Sequence, residues 1–139
     1  MFVARGLDHV NLRTARLAEM TDFYRDIIGL RVGDRPDFGF PGAWMWVDNH
    51  AAVHLVGMDS GLHPKEPQIE HFAFRCEGLE SFMEKCRGKG VAYYVAVVPG
   101  TGLRQVNVFD PDGNKVEMQF RPEDGPDADL SPFKMANPA

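Results

Sequence analysis

The chain repeats itself, and that limits its fold more than any other feature. Leu7–Arg13 reads LDHVNLR and Ile69–Arg75 reads IEHFAFR, a shared acid–His–apolar–x–apolar–Arg pattern at an offset of 62 residues (9 to 71). A repeat of this size means one supersecondary unit used twice. After the first copy, Leu17, Met20, Phe23, Tyr24 and Ile27 recur at helical spacing; after the second, Leu79, Phe82, Met83 and Cys86 do the same. Gly29 and Gly90 stand where each helix should stop. Short apolar segments follow: AWMWV and AAVHLVG in the first half, VAYYVAVV, LRQVNVF and KVEMQF in the second. The DPDGN turn at Asp110–Asn114 predicts a hairpin, because Gly and Asn tolerate positive φ. The last strands also correspond, VHLV with VEMQ, at an offset of 63 (54 to 117).

The expectation is therefore an α+β fold of two βαβββ modules forming a curved mixed sheet, a cup, with helices on the outer face. One domain should span residues 1–120, with module 1 at about 1–60 and module 2 at about 65–120. Residues 121–139, rich in Pro and Asp, read as an extended C-terminal tail with Phe133 as its anchor.

A net charge of -5 and a pI near 5.5 argue against nucleic acid as a partner, which calls for a basic face. No apolar run approaches the roughly 20 residues needed to span a bilayer, and Met1–Gly6 lacks the apolar core of a secretory signal. Cys76 and Cys86 are too few for a disulfide scaffold and read as reduced, buried thiols in a cytoplasmic protein.

Strand parity assigns faces. His9, Asn11 and Arg13 share one side of the first strand, opposite Val10 and Leu12; His71, Ala73 and Arg75 oppose Phe72 and Phe74. Lys115, Glu117 and Gln119 alternate with Val116, Met118 and Phe120, and His54 lies on the Ala52/Val56 side, away from Val53 and Leu55. Four potential metal ligands, His9, His54, His71 and Glu117, thus fall two per repeat on faces not needed for helix packing. Three neutral imidazoles and one carboxylate leave a divalent ion net positive, suited to gripping an oxygen-rich anion. Gln105 and Asn107 would share that face as substrate-orienting groups, and Arg13, Arg75 and Lys115 could meet a substrate carboxylate or phosphate. Trp44 and Trp46 are assigned to the core, and His50 and His63 to solvated loops.

On LDHVNL, DFYRDIIGLRV, EHFAFRCE and DPDGNKVEMQF, the chain resembles the vicinal oxygen chelate superfamily, which includes glyoxalase I, methylmalonyl-CoA epimerase, fosfomycin-resistance proteins and extradiol dioxygenases. The resemblance covers Leu7 to about Phe120. It implies a cup enclosing one divalent metal (Zn, Ni, Co, Mn or Fe). His9 and His71 match the first-strand ligand positions, and His54 and Glu117 the last-strand ones. It implies a homodimer with paired modules, a small-molecule substrate, and no nucleic acid or membrane partner. The implied chemistry is lyase or isomerase, through a metal-stabilised enolate with Glu117 as base and His54 beside it; glyoxalase I itself has a carboxylate where this chain has His54. An Fe(II) extradiol-type ring-cleavage dioxygenase is the alternative, using His9, His71 and Glu117 as ligands and His54 for proton transfer; Asn107 stands where those enzymes carry a tyrosine. A ligand-sequestering protein resembling the bleomycin-resistance members is the non-enzymatic alternative.

Overall fold

Alternating and helical patterns translate into two copies of one connectivity. The computed structural model describes residues 1, 5, 7–59 and 69–135. In chain order the elements are β1 (Val10–Thr14), α1 (Leu17–Asp26), β2 (Arg31–Gly33), β3 (Gly42–Val47), β4 (His50–Gly57), β5 (His71–Arg75), α2 (Leu79–Gly88), β6 (Tyr94–Val97), β7 (Arg104–Phe109) and β8 (Lys115–Phe120). The chain divides into two compact units, Met1–Lys65 and Glu66–Ala139.

The first unit carries a sheet in the order β1-β4-β3-β2 and the second a sheet in the order β5-β8-β7-β6. β1 runs parallel to β4 and β5 parallel to β8, while the remaining pairs are antiparallel. Each module is thus the expected βαβββ unit. Its first and last strands are direct neighbours because the intervening helix and hairpin bring the chain back beside its start. This one topological fact places each module's two candidate ligands side by side.

Apolar parity decides which face the helix covers. In module 1, Met45, Val53 and Leu55 are fully buried together with Met20 and Tyr24 of α1. In module 2, Val106, Val108, Val116 and Phe120 are buried with Leu79, Met83 and Cys86 of α2. Gly29 (φ 86) and Gly90 (φ 69) follow the two helices in the left-handed conformation that ends a helix. Cys86 is buried and Cys76 half-buried; neither is in a disulfide, and burial pushes both thiols up to about 11. Among the described residues no helix is long and apolar enough to cross a membrane.

The tail is part of module 2. Gly78 at the start of α2 has no side chain with which to cap the helix. Instead Asp124 accepts from the Gly78 and Leu79 backbone N–H groups at 2.7 and 3.1 Å. Arg104 holds that tail segment by donating to the carbonyls of Asp124, Gly125 and Pro126. Phe133 and Tyr93 exchange backbone hydrogen bonds at 3.0 Å. Asp124→Ala should therefore destabilise the protein by roughly 0.5–2 kcal/mol, the usual cost of a lost N-cap, whereas Asp124→Asn should retain most of the stability; urea unfolding of both variants checks this.

Candidate functional site

The sheet face away from the helix in each module carries the candidate ligands. In module 1, His9 stands one residue before β1, not within it, and still reaches His54 on the neighbouring β4. The two imidazoles stack with centroids 3.9 Å apart and planes 11° from parallel. Trp44 of β3, paired with His54 in register, stacks on the other side at 4.1 Å and 12°. His54 Nε2 lies 3.1 Å from the Ala51 carbonyl. A carbonyl only accepts, so Nε2 carries the proton and Nδ1 holds the free lone pair. Burial, followed by the neighbouring His9, lowers the His54 pKa and keeps the ring neutral near pH 7.

In module 2, Glu117 is buried, at 6% exposure. Its Oε2 lies 3.4 Å from His71 Nε2. Asn107, opposite Glu117 on β7, is equally buried; its Nδ2 donates to the Gln105 carbonyl, and its Oδ1 has no hydrogen-bond partner among the described residues. A buried carboxylate, an imidazole nitrogen 3.4 Å from it and an amide oxygen without a partner among the described residues therefore share one sheet face. Such a set suits a cation. Two atoms each ~2.1 Å from a tetrahedral ion lie about 3.4 Å apart, so the His71–Glu117 spacing fits a metal.

Both modules add a feature that the sequence reading missed. Asp8 accepts from His9 Nδ1 at 2.7 Å, and Glu70 accepts from His71 Nδ1. Each carboxylate fixes the Nδ1–H tautomer of the histidine after it and leaves Nε2 free, the arrangement in which a metal-binding imidazole is usually held by its second partner. Each is held more acidic than an ordinary carboxylate: Asp8 by His9, Glu70 by Lys115 first and His71 second. Lys115 anchors Glu70 at 2.7 Å. The signal was visible as the acid preceding the histidine in both repeats. Glu70→Ala should weaken divalent-metal binding by roughly 10–100-fold, with Glu70→Gln intermediate because its amide oxygen still accepts; equilibrium titration with Zn(II) or Co(II) reads this.

Each module thus assembles one pair, His9 with His54 and His71 with Glu117. Among the described residues, no group of three or more His, Cys, Asp or Glu is gathered as a ready-made ion cage. Three sequence assignments change. His50 is not in a loop; it opens β4, and its Nε2 bonds the Asp8 carbonyl. Trp44 and Trp46 are half-buried on the His54 side, while Met45 between them fills the core. The cause is the hairpin register, with a bulge after Met45, which pairing rather than hydrophobicity decides. Gln105 bonds Gln119 at 3.3 Å on the Glu117 face. His63 lies outside the described residues.

Comparison with known proteins agrees with this fold. The chain is 28% identical over 121 residues to "Glyoxylase I 4" of Arabidopsis thaliana, covering 81% of this chain and 69% of the relative. It is 31% identical over 128 residues to "Biphenyl-2,3-diol 1,2-dioxygenase 3" of Rhodococcus globerulus, covering 86% of this chain. It spans only 65% of that relative's length. A putative glyoxalase family protein from Bacillus anthracis has the same fold, with a TM-score of 0.72 at 21% identity, covering 87% of this chain and 98% of that one. With its family model matching residues 6–118, the chain belongs to the Glyoxalase/Bleomycin resistance protein/Dioxygenase superfamily.

Proposed function

We propose that the chain is a divalent-metal-dependent enzyme in which His9, His54, His71 and Glu117 hold one ion (Zn, Ni, Co, Mn or Fe), and that it performs lyase or isomerase chemistry on a small oxygenated substrate. The observation that carries this reading is the cluster of buried Glu117, His71 Nε2 at 3.4 Å and the unpartnered Asn107 Oδ1. When bound, the ion supplies a Lewis acid to two neighbouring substrate oxygens. Glu117, buried beside His71, is the base for a proton next to a carbonyl. Asp8 and Glu70 hold His9 and His71 in the ligating tautomer. His54, whose Nε2–H is held by the Ala51 carbonyl, offers Nδ1 to the ion. The family resemblance supports a homodimer, and the free thiols of Cys76 and Cys86 support a cytoplasmic location.

One observation favours a second reading. His54 turns Nε2 to its own backbone and is stacked between Trp44 and His9, which leaves His9, His71 and Glu117 as a two-histidine, one-carboxylate set. That set suits Fe(II) and oxygen chemistry, and the dioxygenase names of two relatives point the same way. Reconstituted protein separates the two. Solvent deuterium entering next to a carbonyl, lost in Glu117→Gln and without oxygen consumption, supports the first. Oxygen uptake on a catechol by the Fe(II)-loaded protein supports the second. Neither activity, with ligand binding retained, leaves the sequestering role.

A further inference from the structure

We propose that the sheet face of module 1 away from α1 is a binding platform for an aromatic anion, its ring over Trp44 and His54 and its acid group between Arg13 and Arg35. This rests on the metal reading only for what happens to the bound molecule; the platform itself lies wholly within module 1.

Two adjacent rows of residues build it. In the first, Asn11, His54, Trp44 and Gly33 lie side by side across β1, β4, β3 and β2. The rings of His9, His54 and Trp44 face one another across the strands, so their edges are what this row presents outward. Ring edges carry positive partial charge and receive the electron-rich face of another ring in a T-shaped contact. Phe38, about half-exposed at 49%, closes the end of the row 6.2 Å from Trp44.

The second row is Arg13, Val56 and Gly42. Gly42 leaves room for a guanidinium: a Cβ there would lie 2.7 Å from Arg35 Nη2. Arg35 is held in that place by the Phe38 and Phe40 rings, 5.0 and 5.1 Å from its Cζ, and by donation to the Phe40 carbonyl at 3.2 Å. Arg13 and the Arg35 seat therefore flank Val56, roughly 10 Å apart at two strand spacings, and about 7 Å along the strands from the ring row. A benzoate oxygen lies about 4 Å from its ring centre and a hydrogen bond adds about 3 Å, so a ring on the first row can place its carboxylate on a guanidinium of the second. In a chain of net charge -5, two guanidinium groups beside an aromatic row mark a place where an anion is preferred over a cation.

The test uses 4-hydroxybenzoate as probe and cyclohexanecarboxylate as its saturated control, titrated into the full chain with and without reconstituted metal. The Trp44 indole N–H signal, assigned with Trp44→Phe, is followed by NMR. The expected result is saturable movement of that signal by 4-hydroxybenzoate, binding roughly tenfold weaker for the saturated acid, and a loss of roughly five- to tenfold in each of Arg13→Gln and Arg35→Gln. Equal affinity for the two acids, an unmoved Trp44 signal, or full binding by both arginine variants would overturn the proposal. Metal content measured on the same samples keeps the two readings apart. Probe binding without metal uptake sinks the metal centre and leaves the platform standing; metal uptake without probe binding does the reverse.

Discussion

Replacing Glu117 with glutamine should abolish tight metal binding while leaving the metal-free protein as stable as before, or slightly more so. The side chain is nearly isosteric, so packing on this buried position is retained. What changes is charge and hydrogen bonding. A neutral amide removes the one carboxylate among the four proposed ligands, and because mere outer partners cost roughly 10–100-fold, loss of a direct ligand should exceed about 100-fold in affinity. At the same time the new amide N–H stands opposite the orphaned Asn107 Oδ1 and can donate to it, a net gain on the order of 0.5–1.5 kcal/mol. Opposite signs for binding and stability are the mark of a residue kept for function. Calorimetric metal titration and urea unfolding of the metal-free variant measure the two halves. Unchanged metal content would remove Glu117 from the centre; a large fall in stability would make its role structural.

The largest effect on stability is expected one face over, at Phe120. Its ring is 1% exposed, on the same side of β8 as Val116 and Met118, and lies 6.3 Å from the Phe82 ring of α2. Phe120→Ala removes that ring from between sheet and helix and leaves a cavity the rigid strand cannot close, costing roughly 3–5 kcal/mol. Against a typical total of about 5–15 kcal/mol, that is enough to unfold a substantial share of molecules on mild warming. Phe120→Leu, which refills most of the volume, should cost well under half as much. Denaturant midpoints of the two variants test this, and equal midpoints for Phe120→Ala and the parent would mean that the α2–sheet contact is not where module 2 gets its stability.

How far the sequence could be read follows from which interactions are local. Parity gave the correct faces for Glu117 against Val116 and Met118, and for His54 against Val53 and Leu55, because alternation is a property of the strand alone. Helical spacing marked Met20, Phe23 and Tyr24 for the same reason. The repeat gave the topology, since two copies of one pattern share one connectivity. What escaped depends on pairing between distant segments. Trp44 beside His54 follows from the β3–β4 register and its bulge, which no composition rule supplies. Asp124 capping α2 joins residues 46 positions apart. Asp8 and Glu70 were in plain view before their histidines, but an exposed acid reads as solvated until the imidazole nitrogen beside it is seen to be occupied.

The central proposal is that His9, His54, His71 and Glu117 are metal ligands, and elemental analysis tests it most directly. The protein is purified without an affinity tag, stripped with chelator and reconstituted with Zn, Ni, Co, Mn or Fe singly. The account predicts one divalent ion per chain, lost in Glu117→Gln. A chain that carries no metal and takes none up contradicts it.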